Sequence, residues 1–130
     1  MKTTFFLTIE EVIVIHDKMI EIGGGTSGLR DIEMLQAAIE RPKATFAGAF
    51  LYKNTLEMGS ALLQSLVKNH PFIDGNKRTA FFSTLRFFEK NNIRLNLKNK
   101  EIVYLMIKTD TDSLSVAEIA SWFSKRLHKK

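Results

Sequence analysis

The sequence predicts an all-α fold of about six helices. Three observations carry this: apolar residues recur at helical spacing along most of the chain, capping boxes open the first and last helices, and only two Pro and seven Gly interrupt 130 residues. That length suits one core, so a single domain over residues 1–130 is expected.

Thr8 and Glu11 form the first capping box, after which Ile9, Val12, Ile13, Met19 and Ile20 share a face until Gly23-Gly24-Gly25 stops the helix. A second helix starts at Arg30 or Asp31, carries Leu35, Ala38 and Ile39 inward and breaks at Arg41-Pro42. Residues 42–54 have no clean period and read as an extended loop or a short hairpin bearing Phe46, Phe50, Leu51 and Tyr52. A third helix is expected over about residues 54–69, with Leu56, Leu63, Leu66 and Val67 as its core stripe. After a loop at 70–75, a fourth helix spans about 76–91. Its Ala80, Phe81, Phe82, Leu85, Phe87 and Phe88 leave it apolar round most of its circumference, which marks a central helix. Residues 93–97 are a candidate strand, too isolated to build a sheet. Two helices close the chain, at about 99–109 and 115–127, the second opened by a capping box of Ser115 and Glu118.

Composition narrows the function. With 45% hydrophobic and 25% charged residues the chain reads as a soluble globular protein. The absence of Cys excludes disulfides, thiolate metal sites, iron–sulfur clusters and thiol catalysis. The apolar Phe5-Phe6-Leu7 run is ended by Glu10-Glu11, short of an export signal, and no apolar stretch is long enough to span a membrane; a cytoplasmic protein is expected. The net charge of +5 is concentrated in residues 68–100, where eight Lys and Arg face only Asp74 and Glu89. Such a segment implies an anionic partner, a phosphate-bearing small molecule or a nucleic acid, or else a solvated basic face.

The segment Asn69-His70-Pro71-Phe72-Ile73-Asp74-Gly75-Asn76-Lys77-Arg78 joins the two buried helices and gathers the chemistry. Gly75 and Asn76 open a helix, where unpaired amides and the positive dipole end favour an anion. Lys77 and Arg78 have the wrong sign for that dipole, which a bound phosphate would reverse. Asp74 is either the helix cap or the single carboxylate that, with phosphate oxygens, holds Mg²⁺. His70 is placed to act as a general base, an imidazole being suited to that task near neutral pH. Phe72 reads as the anchor of the loop.

These residues resemble the Fic/Doc signature H-x-F-x-[D/E]-[G/A]-N-x-R, and most closely its death-on-curing branch. Ile15-His16-Asp17, Gly28-Leu29-Arg30-Asp31 and Ala38-Ile39-Glu40-Arg41-Pro42 resemble that branch as well. The resemblance implies a helical domain whose central helix–loop–helix binds ATP and Mg²⁺. It makes His70 the base, Asp74 the metal ligand, and Gly75, Asn76, Lys77 and Arg78 the phosphate site, with Lys68 as a further basic contact. The segment with Phe46, Phe50 and Tyr52 corresponds to a flap that aligns the target peptide. Two positions depart from the AMP-transferring pattern H-P-F-x-x-G-N-G-R-x-x-R: Lys77 replaces its second Gly and Phe81 its last Arg. The death-on-curing branch shares both changes, and its members are protein kinase toxins that act on a threonine of elongation factor Tu. The resemblance therefore implies phosphorylation, with AMP transfer as the alternative. No Glu follows a Ser or Thr by four residues, so the self-inhibiting helix of many Fic proteins is absent. Restraint is expected from a small Phd-type antitoxin, with nucleic acid met only through that complex.

Other residues read as structural. His16 falls on the apolar stripe of the first helix as a sheltered, hydrogen-bonded core residue. Gly23-Gly24-Gly25 reads as a flexible turn, and His128 as part of a solvated, frayed basic tail. A non-catalytic nucleic-acid-binding module ranks low, because no recognition-helix pattern is evident.

Overall fold

A computed structural model describes residues 3–128. Its helices are α1 (Ile9–Gly23), α2 (Ile32–Glu40), α3 (Thr55–Asn69), α4 (Asn76–Lys90), α5 (Asn99–Thr111) and α6 (Val116–Ser124), and a two-stranded hairpin of β1 (Thr45–Phe46) and β2 (Ala49–Phe50) lies between α2 and α3. The expected all-α fold of six helices is present. Local signals set most boundaries. The Thr8 hydroxyl accepts from the Glu11 amide while Glu11 Oε1 accepts from the Thr8 amide, and Ser115 and Glu118 do the same for α6. Asp31 caps α2 through Met34 N, and Arg41–Lys43 continues it as a 3₁₀ turn with Pro42 buried.

Helix α3 is the hub, packed against α2, α4, α5 and α6, while α1 lies along α4. Its buried set extends well beyond the expected stripe, to Met58, Gly59, Ser60, Ala61 and Leu62. At Gly59 a Cβ would fall 2.2 Å from Phe88 Cε1, so the hydrogen side chain is what lets α3 and α4 approach. Phe81, Phe87 and Phe88 of α4 are fully buried, and Phe88 meets Phe123 of α6 edge-on at 5.0 Å. Lys90 donates to both carboxylate oxygens of Glu11, at 2.9 and 3.0 Å, tying the end of α4 to the start of α1.

Two expectations at the C-terminal end are corrected. Residues 93–97 form no strand but a single antiparallel bridge, Leu95 to Leu127. The basic tail is not frayed through His128. Helix α6 stops at Ser124, Arg126 stacks on Trp122 and pairs with Glu101, Asn96 N donates to Arg126 O, and His128 N donates to Arg94 O. Non-local pairing thus shortens a helix whose local pattern would run on. Lys129 and Lys130 lie outside the described residues. Among the described residues no helix is long and apolar enough to cross a membrane.

Candidate active site

His70 ends α3 in the left-handed conformation, φ 46° and ψ 55°, which turns the chain sharply into the motif loop. A side chain other than Gly or Asn rarely adopts this geometry unless neighbours enforce it. The enforcement comes from Arg30, whose Nε donates to His70 O at 2.5 Å and whose Nη2 donates to Asn69 O at 2.8 Å. A cation thereby caps the negative end of α3. The backbone of the same segment grips the loop. Arg30 N and Asp31 N both donate to Pro71 O, Ile73 N donates to Gly28 O, and Leu29 bridges Phe72. The strap at residues 28–31, noticed in the sequence only as a resemblance, is thus the frame of the loop.

Phe72 is buried against the core, as expected of an anchor. Its ring stacks on His16, centroids 3.8 Å apart and nearly parallel, and His16 Nε2 lies 2.8 Å from Asp74 O. A carbonyl only accepts, so Nε2 carries the proton. His16 is 1% exposed and sheltered, as its position on the helical stripe implies, yet it also positions the loop. Asn76 is buried too. Its Oδ1 accepts from Phe72 N at 3.0 Å and its Nδ2 donates to Phe72 O at 2.9 Å, so the carboxamide closes the loop upon itself. A contact of 3.4 Å to His70 Nδ1 is too long to fix the imidazole tautomer.

Asp74 does not cap α4. Gly75 holds the cap position, left-handed and without a side-chain bond, so the first-turn amides of α4 have no capping oxygen. The carboxylate instead accepts from Thr26 N at 3.1 Å and Gly75 N at 2.9 Å. These two amides, with weaker help from Arg78 and His16, hold its carboxyl below the usual Asp range. Gly23-Gly24-Gly25 is consequently more than a flexible turn. A Cβ at Gly25 would sit 2.8 Å from Asp74 Oδ2, and one at Gly23 would overlap the Arg78 guanidinium.

Arg78 crosses to α1, donating to Met19 O at 3.2 Å and Gly24 O at 3.0 Å. Its positive charge, unfavourable at the start of its own helix, completes the carboxyl end of another that has no base in its last turn. Lys77 faces the opposite way and pairs with Asp110 of α5 at 3.0 Å, and Lys68 donates to Ser113 Oγ at 2.8 Å. Phe81, where the AMP-transferring pattern has Arg, is wholly buried. It belongs to the core.

His70, Asp74, Gly75, Lys77 and Arg78 line a cleft of about 370 Å³ whose other wall is apolar: Ile73, and Val103, Met106 and Ile107 of α5. Sequence reasoning missed this wall, although Val103 and Ile107, four apart and half exposed, are an apolar pair that the core leaves uncovered. Larger hollows of about 580 and 620 Å³, beside residues 92–97 and between α5 and α6, do not touch the loop. In the hairpin, Phe50 leans on Phe6 and Phe46 is 70% exposed, while Tyr52, just beyond β2, packs on the core under Arg41.

The sequence model of the Fic/DOC family matches residues 6–88, which hold the whole loop, its strap, all of α3 and all but the last two residues of α4. The chain belongs to the Fic/DOC family. A Mycolicibacterium smegmatis protein named Toxin Doc is 43% identical over 72 residues, an alignment that takes in 55% of this chain and only 55% of that protein. The protein kinase doc of Escherichia phage P1 is 32% identical over 111 residues, covering 85% of this chain and 86% of that one. Both relatives carry the Doc name, in keeping with the branch that the motif resembles.

For a Fic/DOC site the residues suit a nucleotide and Mg²⁺ in distinct ways. The uncapped start of α4 presents amides to an anion. Asp74 is exposed and ionised, a lone carboxylate fit for an ion that keeps most of its waters and shares phosphate oxygens. Among the described residues no group of three His, Cys, Asp or Glu side chains that could hold a metal ion exists.

Proposed function

We propose that this chain is the toxin of a toxin–antitoxin pair, transferring the γ-phosphate of ATP to a protein hydroxyl, a threonine of elongation factor Tu, and so arresting translation in the cytoplasm. The observation that carries the reading is the exposed His70 on the rim of a cleft whose floor is the uncapped start of α4 and whose edge carries Lys77. The kinase name of the phage relative, aligned over most of both chains, supports the reaction, and the name of the mycobacterial relative supports the toxin.

In this reading His70 accepts the proton of the target hydroxyl while that oxygen bonds to the γ-phosphorus and the bond to the ADP oxygen breaks. The α4 amides and Lys77 stabilise the charge on the phosphate oxygens, a preorganised arrangement that needs little rearrangement during reaction. Asp74 would hold Mg²⁺, which supplies charge neutralisation when bound. Asn76 and Arg78 serve the site by fixing loop and helix, because their side chains are committed to Phe72 and to α1. Phe46 is the exposed flap residue free to meet a target peptide, and a Phd-type antitoxin supplies the restraint that the chain lacks.

Incubating the purified protein with bacterial lysate and ATP, then weighing the modified target, tests this. Addition of one phosphoryl group to the elongation factor is expected. Addition of AMP would assign the ordinary Fic activity instead. Expression of the wild-type chain alone should arrest growth, and coexpression of its antitoxin should restore it.

A further inference from the structure

Two basic side chains of the candidate site, Lys68 from α3 and Lys77 from α4, are drawn toward the carboxyl end of α5. Lys77 Nζ lies 3.0 Å from Asp110 Oδ2, and Lys68 Nζ donates to Ser113 Oγ three residues on. Asp110 is outside the motif and outside the cleft lining, so the pair draws the Lys77 ammonium to the cleft's edge. We propose that Asp110 is a positioning residue for Lys77: its carboxylate holds the ammonium in a pair, and a polyphosphate chain binds by displacing that carboxylate. The inference rests on the proposed reaction only in taking a polyphosphate as the ligand.

Three features argue for exchange over a fixed strut. The pair is open to water, with 43% of the Lys77 side chain and 34% of that of Asp110 exposed, and exposed ion pairs contribute little. Arg78, by contrast, is fastened to main-chain carbonyls and, among the described residues, pairs with no carboxylate. The Asp110 carboxyl is also held below the usual Asp range, first by its hydrogen bond from Lys77 and more weakly by the charges of His70 and Lys68. Asp110 is therefore an anion with which a phosphate chain must compete for Lys77. A multiply charged ligand outcompetes a single carboxylate for Lys77, whereas a weakly charged one does not. Asp110 accordingly sets a threshold in favour of polyphosphates over orthophosphate.

The test is titration calorimetry of inorganic tripolyphosphate and of MgATP on the wild type, Asp110→Asn, Lys77→Ala and the double variant, together with ATP-dependence of phosphoryl transfer. Asp110→Asn keeps the shape of the side chain, and its melting temperature reports folding. It is expected to bind both ligands about 1.5-fold to fivefold tighter, the range that loss of an exposed pair can supply. In the transfer assay the change falls on KM rather than kcat. Most of that gain should vanish in the Lys77→Ala background. Unchanged or weaker binding by Asp110→Asn, or the same gain without Lys77, would overturn the inference. Tighter tripolyphosphate binding with no transfer to any protein would sustain it and sink the proposed reaction. Transfer with an unaltered KM in Asp110→Asn would do the reverse, and failure of both ligands to bind either protein overturns both.

Discussion

The motif helix is fastened to α1 and to α5 in different ways. On the side of α1, Arg78 donates to two main-chain carbonyls, Asp74 accepts from Thr26 N, and buried His16 joins Asp74 O while stacking on Phe72. On the side of α5, the links are one exposed ion pair from Lys77 and, from neighbouring α3, one lysine–hydroxyl contact. The first set uses main-chain partners that cannot leave and geometries that admit one side chain. The second uses a carboxylate and a hydroxyl that water or an anion can replace. Charge in the same turn of one helix is therefore scaffold at Arg78 and exchangeable at Lys77, and only the partner tells them apart.

Substitutions can sharpen that difference. The largest effect is expected between the two sides, at His70→Ala. Loss of a general base typically costs about 10² to 10⁴ in rate, with melting temperature retained, and target modification in lysate measures it. Full activity in that variant would remove His70 from the chemistry. Next comes Arg78→Ala, which leaves the end of α1 without its cation. Hydrogen bonds to charged groups suggest a loss of about 1–3 kcal/mol in urea unfolding, and Arg78→Lys should restore little because one ammonium cannot span both carbonyls. If Lys77→Ala proved as destabilising as Arg78→Ala, the distinction between scaffold and exchangeable charge would collapse.

His16→Phe should preserve the stack on Phe72 and lose the bond to Asp74 O, at a cost of about 1 kcal/mol. His16→Gln, which can present an amide N–H in a similar place, should recover part of it and with it the Mg²⁺-dependent affinity for ATP. Equal affinity in both variants would confine His16 to packing. The smallest effect concerns acid. Because Thr26 N and Gly75 N lower the Asp74 pKa, the stabilisation is present above the ordinary Asp value and is lost as pH falls through the lower folded value. A pH series of melting temperatures should show Asp74→Asn flattening that acid limb, and Lys77→Ala should remove the separate part that its pair with Asp110 contributes there.

What could be read in advance follows from the range of each interaction. The capping boxes of α1 and α6 act across three residues, and sequence shows both members. The motif loop was equally visible, since its chemistry is packed into consecutive positions. Arg30 to His70 O spans forty residues, Arg78 to Gly24 O fifty-four, and nothing local to an arginine says which distant carbonyl is unsatisfied. The sign of Arg78 relative to its own helix dipole pointed toward phosphate; the structure resolves the same conflict with the opposite pole of α1. Asp110 is invisible for the same reason, since nothing local to this acid of α5 says which distant cation it meets.

The backbone at His70 carries a further consequence. Among the described residues four non-glycine positions have positive φ, and three of them, Ala47, Asn92 and Ser113, lie in turns away from the helix–loop junction. His70 alone combines that backbone with a reactive side chain, in a conformation that glycine would hold at lower energy. Selection for thermal robustness and selection for activity therefore pull in opposite directions at this codon. A screen that rewards folding should enrich glycine at position 70, and under the proposed function that winner would be an inert protein with a sounder scaffold.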